Sequence, residues 1–523
     1  MNVTYLIRRA VNEYSDNMAL VYKDTRMTFK ELDQRVNRLA HGILDLGIRK
    51  GDRVGMLLHN SCEFIEIDFA LSKTGIVRVP LNARLTDKDH EYMLNDSGAN
   101  TLIFGEDFTE TVQKMKPDVT TVKHFIRVSE GLSKANVLKA IEFEDLIRSG
   151  SVNEPSAEIG EEDLHTLFYT SGTTGKPKGA MLTQKSWANV AINLVLDYGP
   201  VTEKDVILNT QPLSHGAGFF VLPFFIKGAT NVLIPDVKPS IIFETIQREK
   251  VTVLKLVPTV LYQLTESPEK TRYNLSSLHS IIYGGSPSAA PRLMDAVRFF
   301  GKKIAQLYGQ AEAPMCISTL AKEDHHIDGP EEWVKRLSSA GKACLNVEVK
   351  VVDENDHEVS QGDVGEVVVR GDHMMKGYWN LPEATAEVMR NGWVHTGDMG
   401  YFDPKGFLFL VDRKRDVIIS GAFNIYPKEL EDVIAAHPKV KEAAVIGVPD
   451  EKWGEAVKAV VVPKSGETVT EQEIIDFCRD HMASFKKPKS VDVVGELPRN
   501  PYGKVLKTAL REPYWKGHDR RIH

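Results

Sequence analysis

From residue 28 to about residue 325 the chain alternates amphipathic runs of helical period with short apolar runs, and this rhythm restricts the folds open to it. Thr28 and Glu31 form a capping-box pattern ahead of Leu32, Val36, Leu39 and Ile43, and Gly47 closes that helix. A strand at 53–58 follows, then a second amphipathic run through Phe64, Ile67, Ala70 and Leu71 to Gly75, then a strand at 76–81. A strand–helix–strand repeat packs as parallel sheet with helices over its faces, and ligands of such sheets sit at loops leaving the strand ends. The expected class is α/β, with a large N-terminal domain of mostly parallel sheets covered by helices.

Between 340 and 412 the pattern changes to short strands of period two, with Val347, Val349 and Val351 and then Gly365 to Arg370, separated by Gly/Asp turns. This predicts a smaller antiparallel β unit closing the large domain. Beyond the charged run Asp412-Arg413-Lys414-Arg415-Asp416 the tail carries strands at 443–448 and 457–462 and a helix that Thr470 and Glu473 would box. The expected domains are 1–413 and a mobile, smaller α+β lid at 414–523. A length of 523 residues agrees with several structural units at roughly 150 residues each.

Composition narrows the function classes. With 42% hydrophobic and 26% charged residues the chain can bury a large core. A net charge of −7 excludes binding to nucleic acid by bulk electrostatics, so any polyanion must meet a local basic patch. The longest apolar run, 219–226, contains Pro223 and stops at Lys227, well short of the about 20 residues that a membrane span needs. The first nine residues lack the pattern of a secretory signal, so a cytoplasmic protein without integral membrane association is expected. Cys62, Cys316, Cys344 and Cys478 lie far apart with no Cys-x-x-Cys pair, which predicts reduced, buried thiols.

The most informative stretch is Tyr169-Thr170-Ser171-Gly172-Thr173-Thr174-Gly175-Lys176-Pro177-Lys178-Gly179. Glycines let backbone N–H groups turn inward, hydroxyls add donors, and Lys176 and Lys178 add charge, which together suit a polyphosphate. It is not a Walker A loop, because Pro177 stands where that pattern needs glycine before lysine. Downstream come Gly284-Gly285-Ser286-Pro287, Tyr308-Gly309-Gln310-Ala311-Glu312, Gly377-Tyr378-Trp379, Thr396-Gly397-Asp398, Asp412-Arg413, Asn424-Ile425-Tyr426-Pro427, Trp453-Gly454-Glu455 and Pro498 to Lys504. In this order, across nearly all of 28–508, the set resembles the adenylate-forming superfamily of acyl-CoA synthetases, adenylation domains and luciferases.

The resemblance implies an ATP-dependent, AMP-forming carboxylic acid:CoA ligase, with ATP, Mg²⁺ and coenzyme A as cofactors or substrates and a fatty (medium/long-chain) or aryl acid as the other partner. Thr170 to Gly175 with Lys176 and Lys178 would hold the β- and γ-phosphates. Gly284, Gly285, Ser286, Pro287 and Tyr308 would wall the adenine, and Gly309 and Gln310 would also contact the nucleotide. Asp398, read as lying in a Gly-flanked turn after Trp393, and Arg413 would hold the ribose. Glu312 and Thr174 would carry magnesium, for which a carboxylate is the fitting hard ligand. Ala311 replaces the family's usual threonine and removes one hydroxyl contact. Lys504 would stabilise charge gathering at the α-phosphorus, His215 would gate the carboxylate and thiol, and Arg415 would be the pivot. Gly421 and Phe423 would border a pantetheine tunnel. Lys486, Lys487 and Lys489 could attract the CoA 3′-phosphate. A homodimer is left open, and the rivals are an enzyme loading a carrier protein, an oxidative luciferase-like enzyme and a non-catalytic nucleotide-binding regulator.

Overall fold

In the computed structural model, which describes residues 1–129, 138–170, 176–286, 288, 290–421, 423–499 and 505–516, the expected helix after Thr28 spans Phe29–Asp45. The Thr28 hydroxyl accepts from the Glu31 N–H while the Glu31 carboxylate accepts from the Thr28 N–H at 2.8 Å, satisfying two donors that a helix start leaves orphaned. The next helix, Cys62–Thr74, is capped by the Ser61 hydroxyl and ends at Gly75, whose left-handed φ of 69° costs glycine nothing. Nearly every residue of that helix is buried, because sheets cover it from two sides.

The chain divides into two compact units, 1–349 with 369–394, and 350–368 with 395–523. The first contains two large sheets among the described residues. One runs in the order Lys342–Ala343, Ser318–Leu320, Ile304–Tyr308, Ser280–Gly284, Val253–Leu256, Val206–Asn209, Thr230–Leu233, Met18–Tyr22, Thr25–Thr28. Its central pairs are parallel and its edges antiparallel. The other runs Ile141–Glu142, His124–Val128, Thr101–Gly105, Arg53–Leu57, Val77–Pro80, Leu164–Thr170, Lys178–Thr183, parallel except for its last pair.

Strand alternation sorts side chains into separate cores. Val253 on the first sheet and Met56 and Phe168 on the second face a shared interior, whereas Leu254 and Leu256 pack on the first sheet's outer side and Leu57 and Leu167 on the second's. The interior also receives the helix Gly218–Phe225, whose eight residues are all buried. Burying its four phenylalanines contributes roughly 2–3 kcal/mol each, which explains the longest apolar run as core. Among the described residues no helix is long and apolar enough to cross a membrane.

In the second unit, Phe423–Ile425, Ile418–Ser420, Gly454–Pro463 and Val440–Asp450 form an antiparallel sheet, with Ser490–Val493 added in parallel. The helices Pro427–Ala435 and Glu471–His481 pack on it around Ile418, Ile425, Leu430, Ile434 and Ile474. The tail strands expected at 443–448 and 457–462 are longer than their apolar cores, since hairpin pairing continues through Asp450 and Gly454. Only half of the second capping box forms. The Thr470 hydroxyl accepts from the Glu473 N–H, but the Glu473 carboxylate turns to Lys439 at 2.9 Å, a full charge outbidding a backbone donor.

Candidate active site

The strand Leu164–Thr170 leads into the proposed phosphate loop and Lys178–Thr183 returns from it, with Thr170 paired to Lys178. Ser171, Gly172, Thr173, Thr174 and Gly175 lie outside the described residues, as does Pro287. The flanking lysines are both seated on aromatic rings. Lys176 Nζ lies 5.2 Å from the Tyr92 ring centre and Lys178 Nζ 5.1 Å from that of Tyr378, a placement that holds an ammonium without neutralising it.

Gly284 and Tyr308 end neighbouring parallel strands, with Gly284 in register with Leu307. A side chain at Gly284 would put Cβ 2.5 Å from the Leu307 carbonyl oxygen, and Gly285 turns away with φ +90°. Gly309 likewise has no room, because Cβ there would meet the Met315 nitrogen at 2.4 Å. These glycines therefore let the backbone follow a closely folded edge at the carboxyl ends of the strands. Gln310 donates its N–H to the Ala313 carbonyl at 3.1 Å, closing the turn that presents Ala311 and Glu312.

The segment 374–379 joins that turn to the phosphate-loop strand. The Met375 N–H donates to the Glu312 carbonyl at 2.8 Å, Met181 and Gly377 are bonded at 2.9 Å, and the Trp379 N–H donates to the Gly179 carbonyl at 2.8 Å. At its centre the Tyr378 hydroxyl donates to Glu312 Oε1 at 2.5 Å. Burial first, and the Glu312 charge second, push the Tyr378 phenol well above its usual range, so it stays a donor. Lys178, Tyr378 and Glu312 thus form a continuous chain of contacts. Tyr378 stands in a motif visible in the sequence, yet its part in positioning the carboxylate is readable only once residues 66 positions apart are brought together.

His215 follows the strand Val206–Asn209 in a turn held by its N–H to the Pro212 carbonyl at 3.0 Å. Its ring stacks on Phe168 at 5.4 Å, Phe168 meets Phe219 at 5.3 Å, and Phe219 stacks on Trp187 at 4.3 Å. An aromatic layer therefore backs His215 on the interior side of the sheet. The four cysteines are free and buried, and burial raises every one of these thiols, Cys478 to about 11, so thiolate chemistry is suppressed.

In the second unit, Asp398 lies on the strand Trp393–Phe402 and not in a turn, a correction to the sequence expectation. Pairing with Leu408–Arg413 sets Asp398 opposite Arg413, and their side chains form an ion pair at 2.8 Å. A run of Gly-flanked polar residues resembles a turn locally, but cross-strand bonds decide otherwise. Beside them Glu366 Oε2 receives Lys414 Nζ at 3.0 Å and His395 Nδ1 at 3.3 Å, while Oε1 accepts the Gly397 N–H at 3.2 Å. Burial alone would raise the Glu366 pKa, but hydrogen bonds and charge from His395 and Lys414 outweigh it and hold the carboxyl at about 2. A folded pKa below the free value of 4.5 means stability that is complete above pH 4.5 and lost as pH falls towards 2. Glu366→Gln should therefore lower the unfolding midpoint in full above pH 4.5 and progressively less below it, by an amount worth up to about 3 kcal/mol. A thermal scan series in which that difference does not shrink between pH 4.5 and 2 would refute the assignment.

Arg415 sits in a single 3₁₀ turn, Lys414–Asp416, anchored on both sides. Asp412 Oδ2 accepts the Lys428 N–H at 2.8 Å, Asp416 is ion-paired to Arg511 in a buried contact, and the Arg415 carbonyl accepts from Arg511 at 3.3 Å. Gly421, at φ +64°, packs under Trp453, and Phe423, half exposed, stacks on Phe485 at 4.5 Å. Lys486 and Lys489 already hold Glu429 at 2.7 Å and Asp450 at 2.8 Å. Lys504 lies outside the described residues.

Residues 7–379 match the family model described as AMP-binding enzyme, and residues 429–504 match the AMP-binding enzyme C-terminal domain. The chain belongs to this adenylate-forming family. Among the family's characterised members, the medium/long-chain fatty-acid–CoA ligase FadD8 of Mycobacterium tuberculosis is 36% identical, with 99% of this chain and 91% of that protein covered. The feruloyl-CoA synthase of an Amycolatopsis species is also 36% identical, over 95% and 96% of the two chains. Of solved structures, ATP-bound MatB from Rhodopseudomonas palustris superposes with a TM-score of 0.87 at 30% identity, covering 99% of this chain and 100% of the other. The α/β class, the parallel sheets and the small antiparallel elements agree with that likeness.

Proposed function

We propose that the protein is an AMP-forming acyl-CoA synthetase that activates a carboxylic acid with ATP and passes the acyl group to coenzyme A. The chain of contacts from Lys178 through Tyr378 to Glu312 carries the reading, because it ties a cation of the phosphate loop to an acidic ligand through a fixed phenol. Likeness to fatty-acid and feruloyl CoA ligases over almost the full chain supports it.

In the first step the acid's carboxylate oxygen attacks the α-phosphorus, and the bond to the bridging oxygen breaks to give acyl-AMP and pyrophosphate. In the second, the CoA thiol adds to the acyl carbon, loses its proton and expels AMP. Thr170, Lys176 and Lys178 bind the phosphates. Gly284, Gly285 and Tyr308 border the adenine by close backbone approach and ring contact. Asp398, oriented by Arg413, accepts the ribose hydroxyls. Glu312 would hold Mg²⁺, since its carboxylate, fixed by the Tyr378 hydroxyl at 2.5 Å, is the hard oxygen donor that ion takes. Magnesium, when bound, neutralises phosphate charge. Tyr378 keeps the Glu312 carboxylate aimed. Arg415, between the Asp412 and Asp416 anchors, is the pivot about which residues 414–523 turn between the two steps, and Gly421 and Phe423 border the thiol's path.

The test is a pyrophosphate-release assay with a panel of acids, magnesium and CoA, products being identified by mass. AMP, pyrophosphate and acyl-CoA in equal amounts are expected. Acyl transfer to a holo carrier protein in preference to CoA would favour the carrier-loading reading, and the absence of any AMP would overturn adenylation altogether.

A further inference from the structure

The last turn of the helix Asp87–Ser97 carries an acid where a helix tolerates one poorly. The Thr86 hydroxyl and the Asp89 carboxylate box its start, and Gly98, at φ +63°, ends it. Helix dipoles favour acids in the first turn and cations in the last, so Asp89 suits its place and Asp96 does not. Arg53 serves the carbonyls at this end, donating to Ser97 at 2.9 Å and to Gly98 at 3.0 Å. A residue that breaks a local preference in an otherwise well-capped helix is placed there by distant contacts.

Those contacts lie on the proposed phosphate loop and the segment beside it. The Asp96 carboxylate accepts from the Tyr169 hydroxyl at 2.6 Å, and the Asp96 carbonyl accepts from the Trp379 indole N–H at 3.1 Å. Tyr169 directly precedes Thr170, is buried, and lies in register with Gly179 on the returning strand. Its ring crosses that partner, since a Cβ at Gly179 would stand 3.1 Å from it, and the Gly179 carbonyl accepts the Trp379 N–H. Burial first, and the bond to Asp96 second, push the Tyr169 phenol well above its usual range, so it remains a donor. Tyr92 stands one turn before Asp96 on the same helix face and takes Lys176 Nζ over its ring at 5.2 Å. One face of one helix thus holds the chain on both sides of residues 170–175.

We propose that Asp96 is a positioning residue for nucleotide binding: through Tyr169 it clamps the entry to the phosphate loop while Tyr92 seats Lys176 at the exit, and so it sets the affinity for ATP. Donors that cradle a polyphosphate bind it tightly when they already converge before it arrives, and a hairpin whose last rung can splay holds them apart. A bond from a phenol to a carboxylate is charge-assisted and directional, so it fixes the rung Tyr169–Gly179. Trp379 ties that rung to the segment bearing Tyr378. Acid and CoA gain nothing from this order, so their affinities should not follow it. The inference rests on the AMP-forming ligase reading and adds to it a residue that acts on ATP only through its neighbours.

The experiment measures ATP binding by titration calorimetry in magnesium, and KM for ATP, CoA and the best acid of the panel, in wild type, Asp96→Ala, Asp96→Asn and Tyr169→Phe. Asp96→Ala and Tyr169→Phe should each weaken ATP binding by roughly 10- to 100-fold, the loss usual for an outer partner of a binding group. KM for ATP should rise with it, while KM for acid and CoA stays within about two-fold. Both residues act through one bond, so the double variant should be no worse than the poorer single. Asparagine keeps an acceptor oxygen, so Asp96→Asn should regain most of the affinity. A strut that serves folding alone would lower the unfolding midpoint and leave the ATP dissociation constant of the folded protein unchanged. That result, equal shifts in all three KM values, additive losses in the double variant, or no recovery in Asp96→Asn would overturn the proposal. Absence of AMP formation by the wild type with every acid refutes the ligase reading instead, and the calorimetric comparison still decides the clamp.

Discussion

Lys504→Ala is expected to lower the rate of acyl-AMP and pyrophosphate formation by roughly 10²- to 10³-fold while leaving thioester formation from preformed acyl-AMP within a few-fold of wild type. The asymmetry follows from where charge develops. As the carboxylate attacks and pyrophosphate departs, negative charge accumulates around the α-phosphorus, and a lysine ammonium brought to it would stabilise that charge more than the ground state. Thiol attack on the acyl carbon expels AMP without a comparable build-up at that position, so the same lysine has little to act upon. Single-turnover measurements started from ATP and from synthetic acyl-AMP separate the steps. Parallel losses in both would mean that the variant damages folding or binding, and the catalytic assignment would fall.

Glu312→Gln is expected to reduce kcat/KM for ATP by about 100-fold or more and to raise the magnesium concentration needed for half-maximal rate, because a neutral amide oxygen is a weak ligand for a small hard cation. Tyr378→Phe is the informative companion. It keeps the carboxylate and removes only the 2.5 Å bond that aims it, and loss of such an outer partner costs roughly 10- to 100-fold in metal affinity or activity. The two variants should therefore shift the magnesium requirement in the same direction and to different extents. Titration of turnover against magnesium decides the matter, and an unaltered half-saturating concentration in Glu312→Gln would remove that residue from the metal site.

Much of the fold is visible in single stretches of sequence because its signals are local. The Thr28 and Glu31 box, the glycine after Thr74 and the consecutive buried valines of Gly365–Arg370 each carry their own hydrogen-bond or burial logic within a few residues. Local logic fails where a distant group competes. Glu473 abandons its box for Lys439, and Asp398 reads as a turn residue until Arg413 pairs across from it. The candidate site shows the same division. Glycines and lysines of the proposed phosphate loop suggest their chemistry by composition, whereas the positioning role proposed for Tyr378 rests on its bond to Glu312.

The order of motifs and the alternation of periods determined, without coordinates, that this chain builds parallel sheets around an ATP-dependent acid-activating centre, since both are properties of neighbours in sequence. Only the tertiary structure decided which side chains share a surface. In the sequence Lys255 is one lysine among many. Strand pairing sets it beside Asn209 and the packing of Gly218–Phe225 places Phe220 against it, so water is excluded and a common surface cation becomes a desolvated donor held by the Leu256 carbonyl.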